Sequence, residues 1–236
     1  FSSYRYNHEA MSTTLIIGSQ WGDEGKGKII DSLSQNAELV IRFQGGNNAG
    51  HTVINPFGTF KMHLIPSGIF EKKSTACISN GVVIDLEVLL EEIEMLEKAG
   101  INLSKRLFIS PRCHIILPYH KMLDTLYEKA KGKGKVGTTG RGIGPVYADK
   151  VSYNGIRIYD FMNKKKFQEK LTVQLSVKNK ILKSLGAKPL SLKVIETQMA
   201  HLRKKLEGYV SEPYPLIQNA LKKDKKILLE GAQAVF

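Results

Sequence analysis

Residues 15–30 constrain this chain more than any other stretch. The apolar run Leu15-Ile16-Ile17-Gly18 leads into Gln20-Trp21-Gly22-Asp23-Glu24-Gly25-Lys26-Gly27-Lys28, and an apolar helix start follows at Ile29-Ile30. Strand, glycine-rich turn and helix in that order commit the chain to an α/β fold with a loop at the strand's carboxyl end. Three glycines let the backbone approach a ligand closely, so successive N–H groups can point at phosphate oxygens while the helix presents its positive end. Lys26 and Lys28 add two mobile cations. Gly22 to Lys28 has the G-x-x-x-x-G-K spacing of a P-loop, but Ile29 stands where the magnesium-holding Ser or Thr belongs. A metal must find another ligand, and Asp23, within the loop, is the candidate; its carboxylate could also act as a base on a second substrate. That disfavours an ordinary nucleoside triphosphatase. A surface turn with solubilising charges is the plain alternative.

With 42% hydrophobic and 24% charged residues in 236, the composition is that of globular material. A net charge of +13 and a pI near 9.6 suit a phosphate-rich partner. Much of the excess, however, lies between Lys164 and Lys226, in stretches that read as amphipathic helices with solvated lysine faces. The aromatics are not interleaved with these charges as a stacking platform needs, so no nucleic-acid partner is expected. Cys77 and Cys113 sit in apolar, strand-like contexts without C-x-x-C spacing and read as reduced, buried thiols of a cytoplasmic protein. No apolar run approaches the ~20 residues of a membrane span. Residues 1–10 precede Met11 without periodic pattern and read as an extension to a unit covering 11–236.

In chain order, strands are expected at 13–17, 39–43, 75–78, 107–109, 113–117 and 227–230. A hairpin is expected from 52–54 and 60–64 about the turn Asn55-Pro56-Phe57-Gly58. Leu86, Leu89, Leu90, Ile93 and Leu96 recur at helical spacing, with Asp85 placed to cap and Gly100 to stop. Further helices are expected at 119–130, 167–185, 192–206 and 214–222. The fold class is α/β: a mostly parallel central sheet with flanking helices, a small antiparallel hairpin, and a P-loop-like phosphate-binding loop after the first strand.

Two more glycine-rich stretches follow strands or helices. Gln44-Gly45-Gly46-Asn47-Asn48-Ala49-Gly50-His51-Thr52 lies past the second strand, where an open α/β sheet places ligand contacts. A histidine in a polar loop is more often a hydrogen-bonded surface residue than a catalyst. Gly137-Thr138-Thr139-Gly140-Arg141-Gly142-Ile143-Gly144-Pro145 offers two hydroxyls and a guanidinium, donors suited to an anion such as a nucleotide monophosphate. A mobile linker is the alternative there.

Together these stretches, with Tyr147, Asp149 and Lys150 after the third and Glu230-Gly231-Ala232-Gln233 as a fourth, resemble the adenylosuccinate synthetase family. Asn47 falls where that family varies. The resemblance runs from about Thr13 to the last residue, about the first half of what the family contains, and implies a truncated record of a longer, homodimeric enzyme. It implies that GTP phosphorylates the 6-oxygen of IMP and that L-aspartate then displaces the phosphate through its amino group. Asp23 would take the N1 proton and bind Mg²⁺ with the Gly50 carbonyl; His51 would act as acid, with Lys150 also catalytic. GTP would meet Gly22, Asp23, Glu24, Gly25, Lys26, Gly27, Lys28, Gly50, His51 and Thr52. IMP would meet Asp23, Lys26, Asn48, Ala49, Gly50, His51, Thr139 and Gln233. The family's guanine and aspartate sites lie beyond Phe236, so the given residues alone are expected to be inactive. Tyr153 stands where relatives carry an arginine that reaches the neighbouring subunit's IMP phosphate, with Arg157 as the nearest substitute.

Overall fold

The computed structural model describes residues 13–19 and 25–234, the last two by backbone alone. The elements in order are β1 (Thr13–Gly18), α1 (Lys26–Ser34), β2 (Leu39–Arg42), β3 (His51–Asn55), β4 (Gly58–Met62), β5 (Thr75–Ile78), β6 (Val83–Ile84) and α2 (Leu86–Lys98). There follow β7 (Leu107–Ile109), β8 (His114–Ile115), α3 (Pro118–Ala130), α4 (Ile143–Val151), α5 (Ile158–Met162), α6 (Lys164–Ser184), α7 (Leu192–Leu206), α8 (Tyr214–Lys222) and β9 (Ile227–Ala234). No helix is long and apolar enough to cross a membrane among the described residues.

The central sheet has the order β1-β9-β2-β5-β7, with every pairing parallel. Its strands are apolar runs; β2 is buried along its whole length, whereas Leu15 and Ile17 of the edge strand β1 are exposed. The last strand enters the middle: Ile227 pairs with both Thr13 and Leu39. The carboxyl ends of β1, β9 and β2 therefore lie side by side, and the loops that follow β1 and β2 leave from the same edge. β3 and β4 form the expected antiparallel hairpin, with His51 opposite Met62.

The helix α2 buries Leu86, Leu89, Leu90, Ile93 and Leu96, as its spacing predicts. Each such side chain contributes roughly 1.5–3 kcal/mol by leaving water. Gly100 adopts φ 80 after the last turn, the left-handed stop that glycine accepts without strain. These residues join a core built from α2, α3, α6 and α7 against β5 and β7.

Several local expectations are corrected. The first helix begins at Lys26, three residues before Ile29, because Gly25 at φ 79 turns the chain and its carbonyl accepts from the N–H groups of Lys28 and Ile29. His51 opens β3 instead of ending a loop. Asp85 precedes α2 but makes no side-chain cap; its carboxylate binds Asn47 and Lys121 instead. The 113–117 run forms only the two-residue β8, paired with β6. Pro145 does not close the third stretch, since α4 starts at Ile143 and a first helical turn tolerates proline. α5 has no counterpart among the expected helices. β9 runs on through Ala234, because a register shift between Ile16 and Gly18 lets Gly18 pair with Ala234.

Candidate functional site

The site forms where three glycine-rich stretches meet the sheet edge. Gly22, Asp23 and Glu24 lie outside the described residues. Gly25, Lys26, Gly27 and Lys28 form the N-cap and first turn of α1, with Lys26 buried and Lys28 exposed. Gly27 is required by packing: a Cβ there would stand 2.8 Å from the Cβ of His51. Only a glycine lets α1 lie this close to β3, and the contact brings His51 against the first turn of α1. His51 is 8% exposed, a buried residue and not a surface one.

Behind His51 lies a buried charged cluster. Its Nδ1 is 2.9 Å from Glu230 Oε1, and Glu230 Oε2 accepts from the backbone N–H of Ser67 at 2.9 Å. Arg42 and Glu230 face each other in register on β2 and β9, both 0% exposed, with Arg42 Nη1 3.9 Å from Glu230 Oε1. Arg42 also donates from Nη2 to the Gly46 carbonyl at 3.1 Å. Burial pulls its guanidinium below the usual range, and Glu230 opposes that pull. Two full charges out of water are tolerated because each compensates the other and both make hydrogen bonds.

The second stretch is held from several sides. Gly45 sits at φ 87, and a Cβ there would meet the Ala232 Cβ at 2.4 Å, so the loop rests on the end of β9. The Gly45 N–H donates to the Tyr147 hydroxyl at 3.0 Å, and that hydroxyl donates to the Gly81 carbonyl at 2.9 Å. Arg141 donates to the Asn47 carbonyl, while Asn47 Nδ2 donates to Asp85 Oδ2 at 3.2 Å. Lys121 completes this group, 2.6 Å from Asp85. The Ala49 carbonyl accepts from His63 Nδ1 at 2.7 Å, and the imidazole packs against Gly50. Asn48 Oδ1 is a buried acceptor with no protein donor among the described residues, as a ligand contact requires. Thr52 is exposed on the hairpin.

The third stretch begins at the exposed end of α3. Lys131 pairs with the Glu128 carboxylate and, together with the N–H groups of Gly137 and Val136 that donate to it, holds the carboxyl down at about 2. Thr139 is exposed, and Gly142 N–H donates to Asp124 where α4 begins. Lys150 is half-buried on α4, its Nζ 3.4 Å from the Asn80 carbonyl and 5.5 Å from the Tyr147 ring centre. It thus stands beside the buttress of the second stretch. A cleft of about 330 Å³ opens between Asn47, His63, Asp85, Lys121, Gly140 and Arg141. Gln233 lies on β9, by backbone alone.

The structure therefore brings Gly27, His51, Asn48 and Ala49 into one neighbourhood and leaves Thr139 on an outer loop. Glu230, Arg42, His63 and Glu92 carry site architecture that sequence reasoning did not assign. Arg42 lay within the expected strand 39–43 and Glu230 at the start of the fourth stretch; their pairing was not visible.

Residues 15–236 match the family model described as Adenylosuccinate synthetase. The chain belongs to the adenylosuccinate synthetase family. Relatives include the adenylosuccinate synthetase of Clostridium kluyveri, 48% identical over 225 residues, covering 94% of this chain and 53% of that protein. That of Halothermothrix orenii is 47% identical over 224 residues, covering 94% and 52%. The chain spans about half the length of the curated relatives it matches. Among solved structures, the fully ligated adenylosuccinate synthetase from Plasmodium falciparum is 34% identical, with a TM-score of 0.83, covering 93% of this chain and 51% of that one.

Proposed function

We propose that this chain supplies the phosphate-binding and phosphoryl-transfer half of an enzyme that joins IMP and L-aspartate to adenylosuccinate with GTP, acting as a cytoplasmic homodimer. The supporting observation is the close packing of Gly27 on His51, which puts a buried imidazole against the first turn after the phosphate loop. In the first step Asp23 takes the N1 proton of IMP, O6 bonds to the γ-phosphorus of GTP, and the bond to the GDP oxygen breaks. His51 donates from its ring to the transferring phosphoryl group, and α1's first-turn amides with Lys26 and Lys28 neutralise the phosphates. In the second step the aspartate nitrogen bonds to C6 and phosphate leaves.

Mg²⁺ would take oxygen from Asp23 and from the Gly50 carbonyl, donors that suit a hard cation, and would supply charge neutralisation on the phosphates. Asn48, with its orphaned acceptor, and Ala49, Gly50, Thr139 and Gln233 are the candidate IMP contacts, with Lys150 as an accessory cation.

The test uses the full-length protein with IMP, GTP, L-aspartate and Mg²⁺. Adenylosuccinate is expected, and Asp23→Asn should stop formation of 6-phosphoryl-IMP with the fold intact. Activity of that variant within about tenfold of the parent, a cost of only ~1.4 kcal/mol, would overturn the assignment. GTP hydrolysis without IMP would instead point to a P-loop GTPase.

A further inference from the structure

We propose that Glu230 is the positioning residue of His51, holding the imidazole as its Nδ1–H tautomer so that Nε2 is the edge offered to the reaction. The inference rests on His51 acting as the acid. Oε1 of Glu230 lies 2.9 Å from Nδ1, and a carboxylate oxygen accepts, so Nδ1 carries the hydrogen. The other oxygen is already committed to the Ser67 N–H at 2.9 Å. The carboxylate is wholly buried on an interior strand of the parallel sheet, and Gly27 packs against the Cβ and Cγ of His51, which fixes the stem of that side chain. Among the described residues, Glu230 on β9 contacts the ring, Arg42 on β2 pairs with Glu230, and Lys26 and Lys28 flank Gly27 on α1.

Two fixed acceptors make a specific prediction for Glu230→Gln. An amide has one acceptor oxygen. The Ser67 backbone N–H cannot change its role, whereas a neutral imidazole can exchange tautomers. The glutamine oxygen therefore stays with Ser67, its NH₂ faces Nδ1, and His51 switches to the Nε2–H form. In the parent protein a ring bonded through Nδ1–H donates from Nε2 as the imidazolium, whose charge the Glu230 carboxylate compensates. In Glu230→Gln the ring that carries Nε2–H is neutral, a far weaker acid than an imidazolium, so the rate falls.

The experiment uses the full-length protein with ¹⁵N-labelled histidine, reading the His51 tautomer by NMR, kcat and KM, and unfolding by urea. Expected are an inverted tautomer, a kcat lowered about 10- to 100-fold and KM values within about threefold of the parent. Glu230→Asp keeps both acceptors and the charge and should retain Nδ1–H with partial activity; it decides the matter if the glutamine variant does not fold. An unchanged tautomer in Glu230→Gln overturns the proposal, as does an inverted tautomer with unchanged kcat. His51→Asn separates the two claims. If it loses the rate while the Glu230 variants do not, only the positioning role fails; if it keeps the rate, the acid assignment fails.

Discussion

His63 donates through Nδ1 to the Ala49 carbonyl, 2.7 Å away, and so ties the end of the β3–β4 hairpin to the loop that delivers Gly50 and His51. The carbonyl can only accept, which places the hydrogen on Nδ1. His63→Phe keeps a ring in place and removes the donor, at a cost of about 1 kcal/mol. Amide hydrogen exchange across residues 44–52 should accelerate while that of β5 and α2 stays constant. Equal exchange in both proteins would show that the Tyr147 and Arg141 contacts hold the loop by themselves.

Glu92 anchors the same segment from α2. Its two oxygens accept from the N–H groups of His63, Leu64 and Ile65 at 2.7–3.2 Å. Burial pushes the carboxyl up to about 7, against these donors, which pull it down. Between the ordinary value of 4.5 and about 7 the folded chain keeps a proton that the unfolded chain has released, so Glu92's contribution to stability falls as pH rises through that window. The parent-minus-Glu92→Gln difference in unfolding free energy should therefore shrink from pH 5 to pH 8, measured by urea titration. A difference that grows with pH would contradict the sign.

Asp149 joins three helices: it accepts from His120 Nε2 at 3.0 Å on α3 and pairs with Lys178 on α6. His120 Nδ1 accepts from the Leu117 N–H, which fixes the hydrogen on Nε2. Burial holds His120 below its usual value; for Asp149, burial acts upward, but His120 and Lys178 outweigh it and hold the carboxyl down. Both groups bind fewer protons folded than unfolded, so acidification below about 6.5 destabilises the fold, first through His120 and then through Asp149. Lys178→Met should cost roughly 1.5–3 kcal/mol at pH 7 and less at pH 3, read from chemical unfolding. An equal loss at both pH values would mean lost packing and not lost charge.

Tyr153 is 95% exposed and sits at φ 61 just past α4, so its side chain contributes little to the fold. Arg157 is also exposed. Arginine at 153 would offer an IMP phosphate a charged fork where tyrosine offers one hydroxyl. In the full-length protein Tyr153→Arg should lower KM for IMP about tenfold, less at high salt, with kcat and thermal stability nearly constant. Unchanged KM would show that another group already serves the phosphate.

The apolar runs, the helical spacing of Leu86 to Leu96 and the glycine-rich stretches determined where strands, helices and the connecting loops form, because each depends on neighbours a few residues away. Tyr214–Lys222 and the hairpin about Asn55–Gly58 were legible for the same reason. Only the tertiary structure decided that β9, last in the chain, inserts between β1 and β2. That insertion makes Arg42 and Glu230 a buried pair and carries a carboxylate to His51 from 179 residues away. It also redirected Asp85, whose local role was a helix cap, to Asn47 and Lys121, because a carboxylate facing an ammonium and an amide gains more than one facing a single backbone N–H. Strand order is set by which faces can be buried together, a property of the whole chain that no window of residues contains.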